Sequence, residues 1–257
     1  MENISLILSD LDGTLFHDDK SISDFSAQVI AGAQKKGILF GISTSRALVN
    51  ARHYFGNLSP DVLITNGGGL VSCKGEKIYS CAFTKEEVRK LIDAAFRICG
   101  KDVIISVDNE HGLFCNEKED LGDRYWTYTD FSDFNESAMK MCVETLDKSL
   151  VEKIASVVGL DQIDYLPFSD IPWYKMSKKN ATKERAIENL CSYLNLPAEK
   201  IVAFGDDFND IGMLKLCGKG VAMGNAISEV KSVADEICLS NEEDGVARWI
   251  EEHLAFF

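Results

Sequence analysis

The chain has 257 residues, of which 46% are hydrophobic, enough to bury a sizeable core as one large domain or two modest ones. Its 27 basic residues stand against 41 acidic ones, and a net charge of -14 works against non-specific attraction to nucleic acid or to an anionic membrane surface. An anionic ligand would therefore need a local positive centre. No stretch has the apolar length to span a bilayer, and the N-terminus lacks a basic n-region, so a reducing cytoplasm is the expected compartment. The eight cysteines include no Cys-x-x-Cys pair and no metal-ligand spacing with the four histidines; they read as small buried hydrophobes rather than disulfides.

Residues 4–9 form a short apolar run that breaks into Asp10-Leu11-Asp12-Gly13-Thr14. Such a run suits a parallel strand covered on both faces, and Gly13 permits the sharp exit that leaves Asp10 and Asp12 together in a crevice. Two carboxylates so close either share a metal or divide acid and base roles. Apolar residues at Phe25, Ala27, Val29, Ile30 and Ala33 predict a helix ending at Gly37. A second buried strand over 38–43 ends in Thr44-Ser45-Arg46, a helix follows over 47–55, and a third strand over 62–64 ends in Thr65-Asn66-Gly67-Gly68-Gly69. Alternation of strand and helix is the pattern of a doubly wound parallel sheet, whose ligands gather at the carboxyl ends of its strands, where Asp10, Thr44 and Asn66 fall.

Residues 70–80 read as a hairpin turning at Lys74-Gly75, and Thr84-Lys85-Glu86-Glu87 is a capping box opening a helix to about Cys99. From there strands are expected over 103–107, 113–116, 139–146 and 162–168, with a helix over 149–158 among them. This is an inserted α+β unit with an antiparallel sheet. The opening texture resumes near Thr182 with a helix to about Leu194, then a buried strand over 201–204 ending in Gly205-Asp206-Asp207-Phe208-Asn209-Asp210. A helix to Cys217, a strand over 221–223, a short helix, a strand over 236–239 and an amphipathic tail over 244–256 complete the chain. The expected fold is α/β, with a discontinuous Rossmann-like core of residues 1–82 and 180–257 and an α+β insert of residues 83–179.

A calcium loop is excluded at Asp10-x-Asp12-Gly13, because its glycine belongs at the sixth position, between helices. Asp206, Asp207 and Asp210 follow another buried strand, and carboxylates from two strand ends of one sheet make a hard, oxygen-rich site suited to Mg²⁺. Gly67-Gly68-Gly69 lacks the Lys-Ser/Thr ending of a phosphate loop and reads as a flexible turn at the approach to the insert. The aromatics Trp126, Tyr128, Phe131, Phe134, Trp173 and Tyr174 read as packing.

Together these motifs resemble those of the haloacid dehalogenase superfamily, specifically the Cof-like phosphatases with a large inserted cap. Asp10-Leu11-Asp12-Gly13-Thr14 matches the first motif, Thr44 with Arg46 is similar to the second, Lys183 fits the third, and Gly205–Asp210 the fourth. Ser45 and Glu184 stand where glycine is usual, and Lys175, Lys178 and Lys179 compete with Lys183, which is favoured because it opens a helix.

The resemblance implies a phosphatase acting through an aspartyl-phosphate. Asp10 would be nucleophile, a carboxylate already ionised at neutral pH. Asp12 would protonate the leaving oxygen and then deprotonate the attacking water. Mg²⁺ would be held by Asp10, the Asp12 carbonyl and Asp206, with Asp210 and Asn209 ordering the metal's surroundings or the lysine. Lys183 and Thr44 would hold phosphoryl oxygens, and Arg46 and Asn66 would contact substrate. The expected ligand is a small phosphorylated metabolite, of the sugar-phosphate class usual in the family, with neither nucleic acid nor membrane as partner. Transfer to a second hydroxyl, as in a phosphomutase, and a non-catalytic phospho-ligand module are the alternatives.

Overall fold

The computed structural model describes residues 4–118, 126–167 and 171–254. In chain order the first stretch forms β1 (Leu6–Ser9), α1 (Asp24–Lys35), β2 (Leu39–Ser43), α2 (Leu48–Ala51), β3 (Val62–Thr65), β4 (Leu70–Cys73) and β5 (Glu76–Ser80). The middle adds α3 (Lys85–Cys99), β6 (Ile105–Asp108), β7 (Leu113–Cys115), β8 (Thr127–Tyr128), β9 (Lys140–Glu144), α4 (Lys148–Ala155), β10 (Ile163–Pro167) and β11 (Trp173–Lys178). The last third contributes α5 (Lys183–Leu194), β12 (Ile201–Gly205), α6 (Ile211–Leu216), β13 (Lys219–Ala222), α7 (Ser228–Lys231), β14 (Glu236–Ile237) and α8 (Gly245–Leu254). Contacts group Met1–Ser45, Ala51–Tyr79 and Thr182–Phe257 into one compact unit, and Arg46–Asn50 with Ser80–Ala181 into a second.

The first unit is built on an eight-stranded sheet of order β14-β13-β12-β1-β2-β3-β4-β5. From β14 across to β3 every neighbouring pair is parallel, and β4 turns back antiparallel on β3. Leu6, Ile7 and Leu8 point alternately to opposite faces, yet none has any solvent exposure, so both faces of β1 are covered. The same holds for Val202, Ala203 and Phe204 of β12. α1 packs on α8, and α5 on α6. Starting at β1 the chain winds outward through β2 and β3; the later strands β12, β13 and β14 run the other way. The switch point therefore lies between β1 and β12, where open α/β sheets form their ligand crevice.

The second unit is a six-stranded sheet of order β10-β11-β9-β6-β7-β8, antiparallel except where β8 runs parallel to β7. One of its faces packs against α3 and α4 through Val88, Leu91, Ile92, Val151 and Ile154, which meet Ile105, Val107, Met141, Val143 and Met176 in one core. The capping box of α3 forms as its sequence implies, the Thr84 hydroxyl accepting from the Glu87 N–H and the Glu87 carboxylate from the Thr84 N–H.

Three differences from the sequence reading stand out. The sheet includes β11, for which no strand was expected: Lys175 and Lys178 obscure an alternation that buries Met176 on the α3–α4 side. The helix expected over 47–55 is one α-helical turn continued by a 3₁₀ turn at Arg52–Tyr54. Gly67-Gly68-Gly69 is no loose connection, since Gly68 sits at φ +101°, and a Cβ there would collide with the Thr182 carbonyl at the start of α5. The strand expected to Phe168 and the tail helix expected to 256 run past the described residues at those ends.

Candidate active site

Asp10 follows β1, Asp206 follows β12, Thr44 follows β2 and Asn66 follows β3, so four adjacent strands deliver them to one edge of the sheet. Residues 11–15 coil into a single wide turn, closed by the Phe16 N–H donating to the Leu11 carbonyl at 2.8 Å. Gly13 occupies the left-handed region at φ +73°, and a Cβ there would strike the Asp206 carboxylate. Only glycine lets this turn lie against the β12 loop. The contact is reinforced by Thr14, whose hydroxyl donates to Asp206 Oδ1 at 2.7 Å.

Lys183, at the first turn of α5, reaches into this cluster and is 2% exposed. Its Nζ donates to Asp10 Oδ1 and to Asp210 Oδ1, both at 2.6 Å. The other oxygen of Asp210 accepts from the backbone N–H groups of Asp206 and Asp207 at 3.0 and 3.1 Å. Asp210 thus holds both the lysine and the β12 loop. Carboxylate oxygens of Asp10, Asp206 and Asp210 lie within 4.8 Å of one another.

Three carboxylates face one ammonium here, an excess of two negative charges where little water reaches. Burial pushes the Asp10 carboxyl up to about 8; Lys183 opposes the shift, and the Asp210 and Asp206 charges add to it. Burial likewise pushes Asp206 up to about 6, against the hydrogen bond from Thr14. For Lys183 burial works downward, but the charges of Asp10 and Asp210 outweigh it and hold the ammonium above its ordinary range. Hard oxygen donors crowded this closely, with their ionised forms disfavoured, fit a divalent cation such as Mg²⁺, which would offset the excess charge.

The remaining residues singled out in the sequence fall as follows. The Asp12 carboxylate accepts from Lys20 Nζ at 2.9 Å. Thr44 is buried, and its backbone bonds to Ile64 and Gly67. Asn66, 2% exposed and left-handed at φ 56°, carries a buried side-chain N–H group with no acceptor among the described residues. Asn209 is exposed on the turn before Asp210, and Arg46 is half-buried in the segment that groups with the second unit. Of the competing lysines, Lys178 pairs with Glu87 inside the second unit.

Sequence reasoning passed over Thr14, Lys20, Asn225 and Asn241. Thr14 lay within the first motif without a role assigned to it. Asn225 donates to the Gly13 carbonyl at 2.8 Å and accepts from the Asn241 N–H at 3.0 Å, tying the Asp10–Thr14 turn to the C-terminal segment. Nothing in local sequence signals a bond that spans 212 residues.

A model of the haloacid dehalogenase-like hydrolases matches residues 7–250. The chain is 30% identical to a 5-amino-6-(5-phospho-D-ribitylamino)uracil phosphatase of Bacillus subtilis, over 97% of each chain. It is 26% identical to a phosphoglycolate phosphatase of Methanopyrus kandleri, over 97% of each. Among solved structures, a haloacid dehalogenase-like hydrolase from Bacteroides thetaiotaomicron superposes with a TM-score of 0.85 at 24% identity, covering 97% of this chain and 99% of that one. The chain belongs to the haloacid dehalogenase-like hydrolases, with a Rossmann-like core and an inserted unit. It falls among that family's phosphatases. Among the described residues, no helix is long and apolar enough to cross a membrane.

Proposed function

We propose that this enzyme is a Mg²⁺-dependent phosphatase of small phosphorylated metabolites, with sugar phosphates and related polyol phosphates as its substrate class. The reading rests above all on one observation, the Lys183 ammonium shared between Asp10 and Asp210 beside Asp206 at the switch point of the sheet. The substrate class draws support from the relative that dephosphorylates a ribityl phosphate.

Asp10 attacks phosphorus and forms an aspartyl-phosphate as the bond to the leaving oxygen breaks. Asp12 passes a proton to that oxygen, then takes one from the water whose oxygen displaces Asp10 from phosphorus. Lys183 steadies the charge on the phosphoryl oxygens, and the Thr44 hydroxyl and the Asn66 side-chain N–H donate to them. Asp10 and Asp206, with the Asp12 carbonyl, would hold Mg²⁺, and Asp210 acts through the lysine and the loop it anchors. The cation, when bound, neutralises charge on the transferring group. Selection of the leaving group is assigned to the insert, and substrate contact to Arg46, as the family resemblance implies.

The test is phosphate release from a panel of sugar, polyol and short-acid phosphates, with Mg²⁺ and with chelator. Mg²⁺-dependent release concentrated among sugar and polyol phosphates is expected. Equal release with chelator would remove the metal, and formation of an isomeric hexose phosphate without free phosphate would point to a mutase.

A further inference from the structure

The Asp12 carboxylate, assigned above to proton transfer, does not stand alone. Lys20 Nζ donates to its Oδ1 at 2.9 Å, and the loop that carries Lys20 is built in detail. Lys20 is left-handed at φ 66°, a conformation that a lysine adopts at a cost. The turn is closed by the Lys20 N–H donating to the His17 carbonyl at 2.9 Å and by the His17 N–H donating to the Ser21 carbonyl at 3.0 Å.

The C-terminal segment pins the same loop from outside. The Asn241 side-chain N–H donates to the Phe16 carbonyl and to Asp18 Oδ1, at 3.0 and 3.1 Å. The Asp18 N–H donates to Glu242 Oε1 at 2.7 Å, and His17 Nε2 meets Asp244 Oδ1 at 3.2 Å. The side chains of Asn241, Glu242 and Asp244 thus hold a four-residue turn whose outcome is to bring one ammonium onto Asp12.

Stability does not explain this arrangement. The paired side chains are 35% and 37% exposed, and ion pairs that open to water add little to folding. Strain kept for so weak a pair points instead to a task at the site.

We propose that Lys20 is a positioning residue for proton transfer by Asp12. An ammonium only donates, so the oxygen it caps accepts, and the transferable proton is directed to the other oxygen of the carboxyl group. As the bond between phosphorus and the leaving oxygen breaks, that proton moves to the departing alkoxide; on hydrolysis the same oxygen takes a proton from water. The inference rests on the aspartyl-phosphate reading of the preceding section.

The experiment uses the full chain with Mg²⁺ and compares a para-nitrophenyl phosphate, whose leaving group needs little protonation, with an alkyl phosphate substrate, whose leaving group needs it. Values of kcat/KM are compared, because they report the steps up to departure of the alcohol. Lys20→Gly removes the ammonium while suiting the left-handed backbone, so its melting temperature should match the parent's. Where acid catalysis supplies roughly 10²–10⁴-fold, Lys20→Gly should lose about tenfold or more on the alkyl ester and under about threefold on the nitrophenyl ester. Lys20→Arg should restore the alkyl ester to within about threefold.

An equal loss on both esters, or none, in Lys20→Gly overturns the proposal, as does a failure of arginine to rescue. Asp12→Ala is the control for the underlying reading. If it shows no leaving-group dependence, the role of Asp12 fails, and that of Lys20 with it. If Asp12→Ala discriminates and Lys20→Gly does not, the role of Lys20 alone is wrong.

Discussion

Lys183→Met removes the single ammonium among three carboxylates and replaces it with an apolar chain of similar length. Both hydrogen bonds it makes are 2.6 Å and the side chain is 2% exposed, so Asp10 and Asp210 lose a partner that water cannot replace. Breaking a buried pair in this way costs about 3–5 kcal/mol. A stranded carboxylate can escape by taking a proton, which bounds the loss. For an aspartate of ordinary pKa that escape costs about 4 kcal/mol at pH 7 and about 1.5 kcal/mol at pH 5, at roughly 1.4 kcal/mol per pH unit. A carboxylate raised in the folded state binds more protons folded than unfolded, so stability falls as pH rises, and the deficit is smallest in acid. At about 2–4 °C per kcal/mol for a chain of this size, Lys183→Met should melt roughly 8–16 °C below the parent at pH 7. At pH 5 the gap should be less than half as large. Thermal melts followed by circular dichroism in chelator at the two pH values measure this. A variant within about 2 °C of the parent at pH 7, or one with the same deficit at both, would refute the reasoning.

Other expectations follow from the same geometry. Asp10→Asn should abolish Mg²⁺-dependent hydrolysis of an aryl phosphate while the chain stays folded; a parental rate would sink the nucleophile assignment. With Asp10 raised to about 8 and Asp206 to about 6, chiefly by burial, the metal-free protein should lose stability as pH rises from about 4 to 8. Mg²⁺ should therefore raise the melting temperature more at pH 8 than at pH 5.5, and equal gains would count against the site. Gly68→Ala forces a Cβ into the Thr182 carbonyl at φ +101°, which should cost about 1–3 kcal/mol or more and displace the start of α5, lowering activity with stability. An active variant that melts with the parent would show that the close approach relaxes freely.

Buried parallel strands read as short apolar runs because both faces are covered, and the polar residues that end them stand out for the same reason. Asp10 after β1 and Asp206 after β12 were therefore legible in the chain by itself, as were the doubly wound order and the capping box of α3. These features depend on local pattern and on rules of sheet topology. Other choices were made only by the fold. Sequence favoured Lys183 over Lys178 only because it opens a helix, and could not show what either ammonium meets. The fold sets one between Asp10 and Asp210 and the other on Glu87. Nor could it show that β11 completes the second sheet, that Gly68 is fitted to Thr182, or that Asn225 and Asn241 brace the turn carrying Asp10 and Asp12. Each of these is a contact between distant segments, and such contacts leave no period or local signature in the residues that make them. The pairing of Lys20 with Asp12 is short in sequence, but it too waits on the fold, because the left-handed turn that creates it is held from the far end of the chain.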